Sequence, residues 1–239
     1  MGKPNELHTH TLHFYKTADY ECSYLSDQRA RSLVAAPAHF VDAAQYNQLI
    51  KRGFRRSGTF SYKPACSQCQ ACTPIRVDCF GFRKRRTFRR VWRQHQHLTP
   101  TVRPLSWQPE HFELYQYYQQ ARHPESAHES SERSQYIQFL LASHVHSRLI
   151  EFRDEQDELQ IVALTDFLDH GLSAVYTFYR PDAPGSLGTY SILWQIQYAR
   201  RLGLTWLYLG YWIDESPKMS YKTRFHPYQL FLDQRWVDG

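Results

Sequence analysis

Ser186-Leu-Gly-Thr-Tyr-Ser-Ile-Leu-Trp-Gln-Ile196 leads into Leu202-Gly-Leu-Thr-Trp-Leu-Tyr-Leu-Gly-Tyr-Trp212. The order is a glycine-containing loop, a helix and an aromatic strand. Ile192, Ile196, Ala199 and Leu202 share one face of a helix over about 190–202, and Gly203 supplies its stop. Trp206–Trp212 then reads as a strand. Upstream, strands are predicted at 147–153, 159–168 and 172–179, the last two flanking the turn signal Asp169-His-Gly171. A hairpin followed by loop, helix and strand predicts an α/β (α+β) fold, a mixed, largely antiparallel sheet with flanking helices.

Toward the N-terminus, Asp42-Ala-Ala-Gln45 is a capping box that starts a helix over 43–52, with Gly53 as its left-handed end. Strands are expected over 59–63 and 74–80, with a cysteine segment between them. Residues 82–97 have helical spacing, with Phe88, Val91, Trp92 and His95 on one face. The proline-rich Thr99–Pro109 reads as a linker or crossover. The expected division is an N-terminal domain over 1–98, with the cysteines and the basic helix, and a second domain over 99–239. Helices are expected over 110–121 and 132–142, joined by a loop from Arg122 to Ser130.

With 239 residues and 42% hydrophobic composition, the chain can bury a real core, and its composition argues against disorder. The net charge of +6 favours an anionic partner. No apolar run is long enough to span a membrane, and Met1–Glu6 lacks the start of a secretion signal. Five cysteines, an odd number, argue against a disulfide framework and for a reducing, cytoplasmic location.

Arg83, Lys84, Arg85, Arg86, Arg89, Arg90 and Arg93 crowd into residues 83–93, and no Asp or Glu occurs between Asp78 and Glu110. On a helix these cations form a broad positive face that suits phosphates, against the bland reading of a solvated surface helix. Cys66, Cys69 and Cys72 follow one another at two-residue spacings, and Cys22 or Cys79 would complete a four-thiolate site for zinc or an iron–sulfur cluster. The ferredoxin run is broken, because Arg76 and Val77 stand where its next Cys and Pro would be. A set of reduced, partly buried thiols is the alternative. Gly185–Tyr190 offers close backbone approach and a helix N-terminus. Lys218, Lys222 and Arg224 then put three cations after the aromatic strand. His8, His10 and His13 have no accompanying carboxylate motif and read as solvated histidines.

Two blocks of the chain resemble a known family. The first includes Cys22-Ser-Tyr-Leu, Arg29-Ala-Arg31, Gly53-Phe-Arg-Arg-Ser-Gly58, Tyr62-Lys-Pro64, Cys66–Cys72 and Pro74-Ile-Arg76. The second includes Thr165-Asp-Phe-Leu, Ser173–Tyr179, Ser186–Ser191, Leu207–Ile213, Lys218–Lys222 and Arg224-Phe. These resemble the bacterial aspartate/glutamate leucyltransferases, which are similar to eukaryotic arginyl-tRNA–protein transferases. The resemblance implies transfer of leucine from leucyl-tRNA to N-terminal Asp or Glu of proteins, which marks them for N-degron proteolysis. It also implies a GNAT-like acyltransferase fold. The eukaryotic relatives read Cys-Gly-Tyr-Cys and Cys-Cys-Pro where this chain has Cys22-Ser-Tyr-Leu25 and Ala71-Cys72-Thr-Pro, so the substitute metal ligands would be Cys66 and Cys69.

The chemistry suits the residues. The donor is an activated ester, and the nucleophile is an α-amine with a reference pKa of about 7.7–8.0. Transfer therefore requires no cofactor, and positioning supplies much of the rate. Asp166 and Tyr190 are the candidates for proton handling or orientation, by their places beside the hairpin and loop. Arg29, Arg31 and Arg76, with Tyr62 and Lys63 as neighbours, are the candidates for reading an acidic side chain. Gly188, Tyr211, Lys218, Lys222 and Arg224 form the expected cradle for the aminoacylated tRNA end. The competing readings are arginyl-donor specificity, a CoA-dependent N-acyltransferase, and a zinc-stabilised RNA-binding module.

Overall fold

The computed structural model describes residues 11–124 and 132–239. Met1–Glu6, His8, His10 and most of the loop expected after Arg122 lie outside the described residues.

The strands are β1 (His13–Lys16), β2 (Tyr20–Glu21), β3 (Arg29–Ala30), β4 (Ser32–Ala36), β5 (Arg55–Ser57), β6 (Phe60–Pro64), β7 (Thr73–Asp78), β8 (Thr99–Arg103), β9 (Ser147–Arg153), β10 (Leu159–Leu168), β11 (Gly171–Tyr179), β12 (Trp206–Trp212), β13 (Tyr228–Leu232) and β14 (Arg235–Asp238). The helices are α1 (Ala43–Lys51), α2 (Arg86–His95), α3 (Pro109–Arg122), α4 (Arg133–Tyr136) and α5 (Leu187–Arg201). A π-helical turn over Ile137–Leu141 extends α4.

An eight-stranded sheet has the order β14-β13-β7-β12-β11-β10-β9-β8. Only β11 and β12 run parallel; the other neighbours are antiparallel. This is the expected mixed, largely antiparallel sheet with flanking helices. A four-stranded sheet, β1-β4-β6-β5, stands beside it, and β2 pairs with β3.

Period-two alternation gives the large sheet a core on each face. Ile150, Phe152, Ile161 and Ala163 pack toward α5 and α2, while Leu149, Val162 and Leu164 pack toward α3 and α4. Leu172 joins the first core and Phe178 the second. Six residues apart on a regular strand, they would share a face. The β10–β11 register shifts between Leu164↔Tyr176 and Thr165↔Ala174, which leaves Val175 as an extra residue and reverses the alternation.

The N-cap half of the capping box forms: the Gln45 backbone N–H donates to Asp42 Oδ1 at 2.9 Å, and Gly53 ends α1 with φ +83°. Two expectations change. The first part of the proline-rich stretch, Thr99–Arg103, is an edge strand, because β8 continues the sheet beside β9 and an edge tolerates its Pro100. Helix α5 starts at Leu187, within the expected loop. β7 and α2 precede the division expected at 98/99, yet β7 sits between β13 and β12, and Phe88 and Val91 of α2 belong to the same core as α5.

Candidate active site

The parallel pairing of β11 with β12 covers only Gly171↔Trp206 to Ser173↔Tyr208. Beyond it the two strands separate. Gly210, at φ +76°, sits where β12 slips register against β7. Arg55 reaches into this gap from β5. Its Nη2 donates to the carbonyls of Ala174 and Val175, each at 3.0 Å, so the bulged strand presents both carbonyls to one guanidinium nitrogen. A Cβ at Gly210 would collide with that guanidinium, so glycine is required there.

Next to the gap lies a cavity of about 500 Å³ between β2–β4, β6 and the cysteine segment. Arg29, Arg31, Tyr62, Tyr211, Cys22, Cys66, Cys69 and Cys72 all line it, together with Tyr24. The sequence therefore picks out much of one wall. Tyr211 donates its hydroxyl proton to the Gly53 carbonyl at 3.0 Å, locking β12 to the end of α1. Burial pushes the Tyr24 hydroxyl up to about 12, with Tyr62 adding to the effect. Arg31 Nε is 2.7 Å from Asp19 Oδ1, and Arg29 donates to the Asp19 carbonyl at 2.8 Å. Both stand toward solvent at the mouth.

Lys222 lies beneath the cavity, 5% exposed, and its Nζ donates to the Tyr211 carbonyl at 2.6 Å. Burial, then the Arg55 charge, pulls its pKa well below the usual lysine value. Lys63 faces a neighbouring cleft of about 330 Å³ and sits over the Phe54 ring at 5.0 Å. Gly188 packs against the Tyr179 ring, and Lys218 and Arg224 are exposed about the short turn Ser220–Arg224.

Three expected site residues are placed elsewhere. Asp166 is fully buried and accepts from Arg56 Nε at 2.8 Å and Ser147 Oγ at 2.7 Å; its oxygens are committed to the core. Tyr190 is 2% exposed among Trp92, His95 and Phe152, and burial pushes its hydroxyl up to about 12. Arg76 lies between the Trp206 and Trp236 rings, at 3.8 and 4.3 Å from their centres, and donates through Nε to Gln229 Oε1 at 3.0 Å. None of the three lines the cavity.

The four thiols share the cavity wall, and burial, then Cys22, Cys66 and Cys69, pushes Cys72 up to about 12. Cys66 Sγ is occupied by the Arg31 backbone, accepting from its N–H at 3.5 Å and donating to its carbonyl at 3.7 Å. Among the described residues, no three His, Cys, Asp or Glu side chains are placed to hold a metal ion. The donor chemistry is right for zinc or a cluster, and the four thiols lie near enough together for Cys22, Cys66 and Cys69 to act on Cys72. Cys79 is buried in the main core, apart from the cavity.

The basic segment forms a face. Phe88, Val91 and His95 of α2 turn inward, and Phe88 stacks on Phe225 with ring centres 4.7 Å apart. Arg83, Arg85, Arg86, Arg89, Arg90 and Arg93 are exposed, while Lys84 lies over the Trp92 ring at 3.5 Å. Lys84 also feels the charge of Arg200, so the exposed end of α5, with Arg200 and Arg201, widens the positive surface. Among the described residues no carboxylate pairs with Arg85, Arg86, Arg89, Arg90 or Arg93. The sequence reading missed Arg55, Arg56 and Arg200. Alternation along β5 was the available signal, since it sends Arg55 and Arg56 to opposite faces.

Among the described residues, no helix is long and apolar enough to cross a membrane. A solved structure of L-PGS from Bacillus licheniformis is loosely similar, with a TM-score of 0.47 and 12% identity over 74% of this chain and 52% of that one. Sequence likeness is far stronger. The chain is 48% identical to an aspartate/glutamate leucyltransferase of Nitrosospira multiformis, over 99% of this chain and 94% of the relative. It is 49% identical to that of Chromobacterium violaceum, over 94% and 93%. It is 44% identical to that of Polynucleobacter asymbioticus, over 99% and 98%. The family models described as arginine-tRNA-protein transferase, N terminus and C terminus, match residues 20–90 and 110–232. With both halves matched and full-length relatives this similar, the chain belongs to the arginine-tRNA-protein transferase family, among its aspartate/glutamate leucyltransferases.

Proposed function

We propose that this protein transfers leucine from leucyl-tRNA to the α-amine of proteins that begin with Asp or Glu, giving them a leading leucine that marks them for N-degron proteolysis. The carrying observation is the near-half identity to aspartate/glutamate leucyltransferases across almost the whole chain. It favours leucine over the arginyl donor named in the family description. The exposed arginines of α2, with Arg200 and Arg201, are the surface for tRNA phosphates. The aromatic cavity beside the β11–β12 gap is the place for the reacting ends. Lys218 and Arg224 flank the approach. The protein works in the cytoplasm, where charged tRNA is found.

The acceptor nitrogen attacks the ester carbonyl carbon. A C–N bond forms, the C–O bond to the terminal ribose breaks, and the ribose hydroxyl leaves with a proton. The free amine is the reacting form, so the ammonium must first lose a proton. Buried positive charge near the amine favours that neutral form. The ester is already activated, and the protein's task is to hold both reactants at attack distance and keep water out. No step is assigned to Asp166 or Tyr190.

Mass spectrometry of an Asp-initiated peptide incubated with leucyl-tRNA tests the proposal. One leucyl residue added at the N-terminus is the expected product. An unmodified peptide in the presence of intact leucyl-tRNA refutes it, and acetylation from acetyl-CoA would favour the CoA-dependent reading.

A further inference from the structure

We infer that Arg55 is the side chain that reads the acidic acceptor, by binding its carboxylate in the gap between β11 and β12. The inference rests on the leucyltransferase reading and names the residue that gives that reaction its acceptor preference.

The charge balance around Arg55 points to an incoming anion. Arg55 and Arg56 are consecutive on β5; Arg56 is buried and Arg55 is partly buried. Arg56 meets a carboxylate, Asp166, with Nε at 2.8 Å. Arg55 meets two backbone carbonyls, both through Nη2. Among the described residues no carboxylate pairs with it. The groups that shape its electrostatics are the hydroxyls of Tyr62, Tyr211, Tyr46 and Tyr24. A guanidinium stays protonated wherever it is put, so this partly buried charge is left without a counter-ion.

A second cation stands at the same point of β12. Arg55 lies against Gly210, and Lys222 donates to the carbonyl of Tyr211, the next residue. Lys222 also has no carboxylate partner among the described residues, and its pKa is depressed by burial first and by Arg55 second. Two cations that meet adjacent residues of β12, one from β5 and one from the Ser220–Arg224 turn, oppose each other until an anion arrives. A carboxylate there accepts from Arg55 and relieves the opposition between the two cations.

The other arginines are less suited. Arg31 already has Asp19 as its counter-ion, Arg29 stands exposed at the mouth, and Arg76 is stacked between two indoles. Arg55 gives Nη2 to the two carbonyls, and its Nη1, beside Gly210, has no acceptor among the described residues and is the nitrogen left for a carboxylate oxygen. A terminal Asp or Glu bound this way has its own α-amine close to a fixed positive charge, which favours the amine in its reacting, neutral form.

The test compares kcat/KM for peptides that begin with Asp, Glu, Asn and Gln, with KM for leucyl-tRNA measured alongside, in wild type, Arg55→Gln and Arg55→Lys. Arg55→Gln is expected to lose on the order of 100-fold on Asp and Glu peptides, with the Asp:Asn ratio falling toward one and KM for leucyl-tRNA unchanged. Arg55→Lys keeps the charge but not the planar guanidinium that holds the two carbonyls while reaching the acceptor, and is expected to lower the Asp:Asn ratio by about tenfold. It provides the reading if the glutamine variant does not fold. An unchanged Asp:Asn ratio in a folded variant overturns the inference, as does a parallel loss on every peptide. A raised KM for leucyl-tRNA with the ratio intact also overturns it and assigns Arg55 to a tRNA phosphate. Wild type that transfers nothing to Asp peptides refutes the leucyltransferase reading instead, so the two failures are distinguishable.

Discussion

Arg56 Nε stands 2.8 Å from Asp166 Oδ2, and both side chains are sealed from solvent where β5 of the small sheet meets β10 of the large one. Ser147 completes the network, accepting from Arg56 Nη2 at 2.9 Å and donating to Asp166 at 2.7 Å. The pair ties two sheets together. Removing one partner leaves a buried charge uncompensated, so Asp166→Asn is expected to cost about 3–5 kcal/mol of stability. The double substitution Arg56→Met with Asp166→Leu is expected to recover most of it. Denaturant unfolding of the three proteins checks this. An Asp166→Asn protein of wild-type stability with a collapsed kcat would make Asp166 a proton acceptor after all.

Arg76 is held by Trp206, Trp236 and Gln229, not by the cavity. As a reader of the acidic side chain, Arg76 would on substitution by Ala cost acidic acceptors more than tRNA. The structure leads to a different outcome. Arg76→Ala is expected to lower stability by about 1–2 kcal/mol through lost stacking, with the preference for Asp over Asn peptides retained. Thermal unfolding beside a two-peptide assay measures both.

Tyr190 packs against Trp92, His95 and Phe152, and its hydroxyl is inside the core. Tyr190→Phe keeps the ring and removes only the hydroxyl. Transfer to an Asp peptide is expected to stay within about twofold of wild type, the span of a conservative change away from the reacting groups. A fall of kcat by two orders of magnitude would return the hydroxyl to the reaction.

The exposed face of α2 predicts a salt signature. Arg85→Ala with Arg86→Ala is expected to weaken tRNA binding and to reduce the slope of log K against log salt by about 1.4–1.8, as two phosphate contacts are lost. Filter binding from 50 to 200 mM salt gives the slope directly. An unchanged slope removes these two arginines from the interface.

The large sheet was readable because its strands are long, apolar and separated by recognisable turns. Strands 147–153 and 206–212 have the expected bounds, and the Asp169 turn closes the expected hairpin. The short strands carried less signal. β5 holds two arginines and no aliphatic residue, and it forms because each guanidinium finds a distant partner. β8 contains a proline and exists because β9 offers it an edge. The same reason limits the reading of the site. Chain position put Asp166 beside the hairpin, but only the packing of β5 against β10 shows that its carboxylate is already used. Arg55 belonged to the resemblance block Gly53–Gly58, yet its place in the gap depends on a bulge at Val175 and on Gly210, neither of which has a local pattern.

The most direct measurement of the central claim is a transfer matrix. Purified protein is given labelled leucyl-tRNA or arginyl-tRNA with peptides that begin with Asp, Glu, Lys or Ala. The account predicts label only from leucyl-tRNA, and only on the Asp and Glu peptides. Label from arginyl-tRNA in place of leucyl-tRNA, or equal labelling of Lys and Ala peptides, would contradict it.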